Sequence, residues 1–273
     1  MNRFLLCTAI LLLSGCQYFF PPEEEAPPIK VERKVFIDTP KVSQENIYID
    51  TDLSLSIEEY RMAVPADFDP KKTYGLVLFI SPTDDGTPPM GWGKVLAERD
   101  LLVISPVKAG NEQEFSRRFG LGLLGVLAMQ KEYKIDPKRI YAAGLSGGAR
   151  AASNLAMLRP DIFSGTIQSV GSVFPHDVAQ VKTKEEFLRV GKGELYSSAL
   201  GAKDMNIAKI KKNLRFVIVT GPGDFRYGNL QDIYNGGFVP DGYQAKLLDV
   251  PGMGHRLCTA EDLTVALDFI EQK

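Results

Sequence analysis

The sequence predicts an α/β fold in which helices cover both faces of a doubly wound, mostly parallel sheet. Nearly uniform apolar runs, such as GLVLFI and LLVISP, alternate along the chain with helical stretches. Uniform apolar runs suit strands that are buried on both faces, as in a parallel sheet, and the alternation favours a doubly wound arrangement. With 273 residues, 44% of them hydrophobic, the chain can form one large domain with a sizeable core.

The elements follow one another in a regular order from about residue 33 to residue 273, which we interpret as one domain. Polar and apolar residues alternate in ENIYID and EYRMAVP, which indicates antiparallel strands at the start of the domain. An irregular, lysine-containing stretch at about 171–213 is the predicted insertion over the carboxyl edge of the sheet. Further strands are predicted at 75–80, 101–106, 139–143, 164–170, 214–220 and 245–250, and helices at 93–98, 112–133, 149–158 and 260–270.

The first sixteen residues have the pattern of an export signal. Arg3 precedes an apolar stretch at 4–13, and the run Leu13-Ser14-Gly15-Cys16 follows. This run resembles the lipobox of bacterial lipoproteins, and the resemblance implies removal of residues 1–15 and lipid on Cys16. An uncleaved membrane anchor and cleavage without lipid are the alternatives, and the short apolar segment disfavours the anchor. By analogy with the same family, Gln17 implies the outer membrane of a Gram-negative bacterium.

Residues 16–32 are predicted to tether the domain to the membrane through the lipid on Cys16. The run QYFFPPEEEAPPIK contains four prolines and three consecutive glutamates, a composition typical of an extended spacer. Cys7 lies in the removed peptide and Cys16 would carry lipid, so Cys258 remains as the free thiol. We expect Cys258 to be a buried, small apolar residue near the start of the last helix.

The charge balance excludes one class of partner. The formal net charge is -2 and no long block of like charge occurs, which argues against binding to nucleic acid. Asp84 and Asp85 are adjacent, but no cluster of His or Glu accompanies them, and a polar turn that binds its own backbone explains them more simply. We therefore predict neither a metal nor a cofactor.

Ser146 lies in the run Gly144-Leu145-Ser146-Gly147-Gly148, between a β-prone run and a helix of small residues. A sharp strand-to-helix turn is the setting in which G-x-S-x-G exposes a reactive hydroxyl. The flanking glycines permit strained backbone angles, and the N-terminus of the next helix favours a developing oxyanion. The pattern predicts Ser146 as a nucleophile, with an inert serine at a glycine-rich helix start as the alternative.

A serine nucleophile needs a base, and the base needs a carboxylate that orients it. His255 lies in a glycine-rich loop between the last strand and the last helix, whereas His176 lies in the irregular stretch. The chain order serine, acid, histidine favours His255 as the base, and leaves His176 as a loop residue or a substrate contact. Asp224 follows the penultimate strand and is the predicted acid; Asp232, in a helical stretch, and Asp241, just before the next strand, compete with it.

An oxyanion hole in this setting needs two N–H donors. The first is the backbone N–H of Gly147, directly after the nucleophile. The second is expected from the loop SPTDDG at residues 81–86. Pro82 has no N–H, which leaves Thr83 or Asp84, and Thr83 is the donor that we assign to the predicted site.

The segment from Asp136 to Ala149 resembles the nucleophile region of the esterase and polyhydroxybutyrate-depolymerase-like branch of the α/β-hydrolases. Looser similarity extends from about residue 60 to the C-terminus. The resemblance implies the α/β-hydrolase fold and a serine hydrolase that cleaves carboxylic esters through an acyl-enzyme, with Ser146, Asp224 and His255 at matching positions.

Two departures from that family narrow the range of expected substrates. The His-Gly-rich oxyanion loop of lipases and esterases is replaced by SPTDDG, and no substrate-binding domain of the secreted depolymerases follows, so polymer degradation is not expected. The expected substrate is a small-molecule or cell-envelope ester. A serine peptidase on the same fold and a lipoprotein that uses the scaffold only to bind an envelope partner are the alternatives.

Overall fold

A computed structural model describes residues 28–42, 49–173 and 206–272. A sheet of eight strands runs through this part of the chain. Its strands are β1 (Ile29–Lys34), β2 (Tyr60–Pro65), β3 (Tyr74–Ile80), β4 (Leu101–Pro106), β5 (Ile135–Leu145), β6 (Gly165–Ser169), β7 (Arg215–Thr220) and β8 (Gln244–Asp249).

The strand order across the sheet is β1-β2-β4-β3-β5-β6-β7-β8. The second strand pairs antiparallel with β1 and with β4, and the remaining neighbours pair in parallel. Parallel strands point their carboxyl ends to one edge, so the loops that follow β3, β5, β7 and β8 meet there. The predicted mostly parallel sheet is confirmed, and so is the antiparallel strand predicted from EYRMAVP.

Helices cover both faces of the sheet, as predicted. The helices at residues 93–98 and 260–271 join the apolar cluster on one face, and those at 115–132, 147–158, 207–213 and 227–233 join the cluster on the other. The third strand supplies both clusters, because Leu76 and Leu78 face one side while Val77 and Phe79 face the other. The helices are α1 (Gly93–Glu98), α2 (Phe115–Glu132), α3 (Gly147–Leu158), α4 (Ile207–Asn213), α5 (Tyr227–Ile233) and α6 (Ala260–Glu271).

The start of α6 is fixed by a capping box. The Thr259 hydroxyl accepts the backbone N–H of Asp262, and the Asp262 carboxylate accepts the backbone N–H of Thr259. A cap of this type stabilises a helix by about 1 kcal/mol. It fixes the end of the loop that carries His255. Within the described ranges, no helix has the length and apolar character needed to span a membrane.

The tether predicted at 16–32 overlaps β1, which begins at Ile29. Ile29 is buried, and IKVERK pairs with β2 from residue 29 to residue 34. The run was hard to recognise because an edge strand carries exposed charged side chains and two prolines precede it. Of the strand predicted from ENIYID, residues 45–48 lie outside the described residues, and Ile49 and Asp50 are not in a strand.

Candidate active site

Ser146 lies at a sharp turn between β5 and α3. Its backbone has φ 55° and ψ -120°, a region that non-glycine residues occupy only under strain. The surrounding structure holds it there, since the Ser146 N–H donates to the Ser169 carbonyl oxygen at 2.9 Å. The turn also brings α3 close to β3, because a Cβ on Gly148 would lie 2.0 Å from the Ile80 carbonyl oxygen. A strained turn of this kind lifts the serine side chain out of the sheet.

His255 bridges Ser146 and Asp224. Its Nε2 lies 2.9 Å from Ser146 Oγ, and its Nδ1 lies 2.8 Å from Asp224 Oδ1. A carboxylate can only accept hydrogen bonds, so the ring proton belongs on Nδ1 and Nε2 accepts from the serine hydroxyl. The three residues chosen from the sequence therefore lie in one hydrogen-bonded line.

The Asp224 carboxylate is buried, and both of its oxygen atoms accept hydrogen bonds. The residue is 4% exposed, Oδ2 accepts from Thr220 Oγ1 at 2.9 Å, and Oδ1 accepts from the Arg226 backbone N–H at 3.1 Å. Its loop is joined to the histidine loop, since the Gly223 N–H donates to the Met253 carbonyl oxygen at 3.0 Å. Together these contacts hold the carboxylate against His255.

Neither of the two competing acids binds the His255 imidazole. Asp232 lies in α5 and Asp241 lies just before β8, whereas the imidazole Nδ1 is bonded to Asp224. Two other predicted residues, Cys16 and His176, lie outside the described residues. Cys258 is 3% exposed and lies two residues before α6, so the expectation of a buried thiol there is confirmed.

The predicted oxyanion donors differ in their surroundings. Gly147 is the first residue of α3, where a backbone N–H has no carbonyl one turn earlier to bind. The Thr83 N–H instead donates to Ser81 Oγ at 3.2 Å, and the Thr83 hydroxyl donates to Asp85 Oδ1 at 2.7 Å. Hydrogen bonds from the Thr87 and Thr83 hydroxyls lower the pKa of Asp85. The loop after β3 thus uses several of its donors internally.

Phe225 is a residue of this site that the sequence reasoning missed. Its ring lies 4.4 Å, centroid to centroid, from the His255 imidazole, and the residue is 76% exposed. An exposed aromatic residue directly after the acid carries no recognisable sequence signal of its own. This tilted ring contact restricts the imidazole and places an apolar surface beside it.

Asn111 and Arg118, near the start of α2, were also missed. A Cβ on Gly147 would lie 2.1 Å from Asn111 Oδ1, so the carboxamide packs directly on the residue after the nucleophile. Arg118 is buried beneath it, at 2% exposure. Burial lowers the pKa of Arg118 to about 10, with repulsion from Arg150 acting in the same direction, so the guanidinium stays charged at neutral pH.

Among the residues that the structure describes, no group of three or more His, Cys, Asp or Glu side chains is placed to hold a metal ion. Asp84, in the loop after β3, accepts hydrogen bonds from the Gly110 N–H and the Gln113 side-chain amide, each at 2.8 Å. Asp84 therefore joins the loops that follow β3 and β4.

Comparison with known proteins identifies the fold. No protein-family model matches the sequence, and no curated protein matches it. Among solved structures, the fluorophosphonate-binding serine hydrolase F of Staphylococcus aureus is 14% identical with a TM-score of 0.60, and the match covers 89% of this chain and 98% of that chain. The S-formylglutathione hydrolase of the same organism is 14% identical with a TM-score of 0.58, covering 78% of this chain and 91% of that chain.

A peptidase is also similar in structure. A putative dipeptidyl aminopeptidase IV from Bacteroides ovatus is 16% identical with a TM-score of 0.59, and the match covers 92% of this chain but 36% of that chain. This chain therefore spans about a third of that protein's length. With the mostly parallel eight-stranded sheet, these esterase and serine hydrolase neighbours show that the protein has the α/β-hydrolase fold, as the sequence predicted. Identity this low shows the fold alone.

Proposed function

We propose that the protein is a serine hydrolase that cleaves carboxylic esters through an acyl-enzyme. The observation that carries the proposal is the hydrogen-bonded line from Ser146 Oγ through His255 to the buried Asp224 carboxylate, at a strained strand-to-helix turn. A nucleophile, its base and an orienting acid within hydrogen-bond reach are the parts that acyl transfer requires.

The reaction follows from the positions of these atoms. Ser146 Oγ attacks the ester carbonyl carbon while its proton passes to His255 Nε2, and the carbonyl oxygen becomes an oxyanion. The Asp224 carboxylate stabilises the resulting imidazolium. When the tetrahedral intermediate collapses, the bond to the leaving alcohol breaks and the alcohol takes the proton from Nε2. Water, activated by the same imidazole, then releases the acid and restores the Ser146 hydroxyl.

The oxyanion forms beside the first turn of α3. We assign the Gly147 N–H as one donor, because it is unpaired within the helix and the helix dipole favours negative charge there. The Thr83 N–H is the second donor predicted from the sequence. Each donor of an oxyanion hole typically contributes about 10²–10³ in kcat.

A sequence resemblance and the structural neighbours both favour ester hydrolysis over other acyl transfers. Residues 136–149 resemble the esterase and polyhydroxybutyrate-depolymerase-like branch, and the solved structures with a similar fold include esterases. The second candidate is a serine peptidase, which the peptidase of Bacteroides ovatus among the structural neighbours favours. The resemblance of residues 136–149 makes the esterase our first proposal.

We further propose that the enzyme is a lipoprotein of the cell envelope. Leu13-Ser14-Gly15-Cys16 supports acylation of Cys16, and several acyl chains hold a protein on a membrane without a spanning helix. Gln17 favours the outer membrane. Substitution of Cys16 by serine is expected to abolish incorporation of labelled palmitate and to release the protein from the membrane fraction. Unchanged labelling of Cys16→Ser would contradict the anchor.

The enzymatic proposal is tested by labelling and turnover together. We expect the full-length protein in detergent to react with a fluorophosphonate probe and to hydrolyse short p-nitrophenyl esters, with both signals lost in Ser146→Ala. The matched control is Ser153→Ala on the same helix, since its buried hydroxyl has no hydrogen-bond partner among the described residues and its loss should leave both signals unchanged.

Three outcomes separate the candidates. Equal labelling of the wild type and Ser146→Ala would refute Ser146 as the nucleophile. Faster cleavage of a peptidyl p-nitroanilide than of the matched p-nitrophenyl ester would favour the peptidase. A wild type that is neither labelled nor active would favour a scaffold that binds an envelope partner without catalysis.

A further inference from the structure

The Asn111 side chain packs on Gly147, the residue that follows Ser146. A Cβ on Gly147 would lie 2.1 Å from Asn111 Oδ1, 2.8 Å from Cγ and 3.1 Å from Nδ2. No side chain larger than hydrogen could occupy residue 147 with the carboxamide there. The amide group therefore packs on the residue whose N–H is the proposed first oxyanion donor.

The orientation of this carboxamide is fixed by Arg118. Arg118 Nη2 makes a long hydrogen bond of 3.4 Å to Asn111 Oδ1, and Arg118 Nε donates to the Ala109 carbonyl oxygen at 2.8 Å. A guanidinium only donates, so the atom of Asn111 that faces it must be the oxygen. The amide nitrogen, with two N–H donors, is thereby turned away from Arg118.

The Asn111 side-chain donors are free to bind a substrate. The backbone N–H of Asn111 donates to the Pro82 carbonyl oxygen at 2.9 Å, which holds the residue against the loop after β3. No acceptor among the described residues takes a hydrogen bond from Nδ2, and Asn111 is exposed. The Thr83 N–H, by contrast, already donates to Ser81 Oγ.

Arg118 is a buried charge with no carboxylate partner among the described residues. No described carboxylate lies within 4.0 Å of its nitrogen atoms, although the charge of Asp84 acts on it from farther away. Its close contacts are a carbonyl oxygen, Asn111 and the Phe115 ring, whose centroid lies 5.6 Å from the guanidinium carbon. A buried cation that lacks a counter-ion costs stability.

We propose that the Asn111 carboxamide, oriented by Arg118, donates from Nδ2 to the oxyanion and so acts as a catalytic residue. Arg118 is then a positioning residue that acts through Asn111. This inference rests on the proposed function, since it assigns a donor to the same acyl transfer. In this assignment Asn111 Nδ2 takes the place of the Thr83 N–H as the second donor. The Asn111 backbone is bonded to the loop after β3 that contains Thr83.

The test is the kinetics of Asn111→Ala and Asn111→Asp in the full-length protein with p-nitrophenyl acetate. Loss of one oxyanion donor is expected to lower kcat by about 10²–10³ while KM stays within about threefold. Asn111→Asp is expected to lose at least as much, because the aspartate keeps the size and the oxygen facing Arg118 but replaces the donor with an acceptor. Asn229→Ala, an exposed asparagine in α5, is the matched control and should keep wild-type rates.

A second readout separates catalysis from structure. A trifluoromethyl ketone forms a tetrahedral oxyanion on the serine, so its Ki should rise in Asn111→Ala by the same factor by which kcat/KM falls. A folding defect would instead lower the fraction of active protein and the melting temperature. If Asn111→Ala fails to fold, Asn111→Asp provides the same comparison.

The role of Arg118 is tested with a double-mutant cycle. If Arg118 acts through Asn111, Arg118→Met combined with Asn111→Ala should lower kcat no further than Asn111→Ala alone. Fully additive losses would overturn the positioning role.

The outcomes distinguish this inference from the proposed function. An active wild type with Asn111→Ala within threefold of its kcat, or with a loss confined to KM, would overturn the inference alone. A wild type without ester turnover would overturn the proposed function and this inference with it.

Discussion

The hydrogen bonds of Asp224 predict how the enzyme responds to Asp224→Asn. Oδ1 accepts from both His255 Nδ1 and the Arg226 N–H, while Oδ2 accepts from the Thr220 hydroxyl. An asparagine fits only with its oxygen at the Oδ1 position, since its NH2 group there would face two donors. The NH2 group can donate to the Thr220 hydroxyl, which can rotate. The imidazole should therefore keep its proton on Nδ1, and the variant should lose only the negative charge.

The expected loss can be worked from that charge. An imidazolium and a carboxylate whose charge centres are about 4 Å apart interact by about 4 kcal/mol at an effective dielectric constant near 20. This corresponds to about 10³ in rate. The side chain of His255 is 28% exposed, so solvent reduces the effect, and we expect kcat to fall by about 10²–10³.

The assay is steady-state hydrolysis of p-nitrophenyl acetate, with Ser146→Ala as the background. Asp232→Asn, which changes an exposed acid of α5, is the matched control and should keep wild-type kcat. Asp224→Ala should lose more than Asp224→Asn, because it also leaves the Thr220 hydroxyl and the Arg226 N–H without their acceptor. An Asp224→Asn variant as inactive as Ser146→Ala, or one as active as wild type, would refute the reasoning.

Three other features give predictions of their own. Phe225→Ala should lower kcat/KM about 3–10-fold by freeing the His255 ring, while the melting temperature stays within a few degrees because Phe225 is exposed. Unchanged kinetics would contradict the role of the ring contact between Phe225 and His255. Gly148→Ala should destabilise the protein by about 1–3 kcal/mol in urea unfolding, since its Cβ would lie 2.0 Å from the Ile80 carbonyl oxygen; a wild-type midpoint would contradict the close approach. Burial raises the pKa of Cys258 to about 12, so iodoacetamide at pH 8 should alkylate it about 10³-fold more slowly in native than in urea-unfolded protein, as mapped by mass spectrometry. The folded thiol binds its proton more tightly, so its contribution to stability is complete below pH 9 and is lost as the pH rises towards 12; equal alkylation rates would contradict the burial.

The fold was predictable from local patterns. The strands β3, β4 and β7 are short, mostly apolar runs, and β3 is buried along its whole length. The first strand escaped recognition because it lies at the sheet edge, where IKVERK carries four charged side chains, and because it follows a proline-rich run. Its pairing with β2 is a long-range contact, which composition does not reveal.

The hydrogen-bonded line of Ser146, His255 and Asp224 was predictable because each residue lies next to a recognisable local feature. Ser146 follows a strand within a glycine-flanked motif, and His255 and Asp224 each follow a strand in a glycine-containing loop. Asn111 has no such feature. It lies 35 residues before Ser146, after a strand separated from β5 by β3 in the sheet, so its approach to Gly147 depends on topology. The one signal was Gly147, where a Cβ would collide with the Asn111 carboxamide.

The most direct test of the central claim is to trap the acyl-enzyme. Rapid mixing of the full-length protein with p-nitrophenyl acetate, followed by acid quenching, should yield protein heavier by one acetyl group. Peptide mapping should place that group on Ser146, and Ser146→Ala should carry none. An acetyl group on another residue, or p-nitrophenol release without any acylated protein, would contradict a serine acyl-enzyme mechanism.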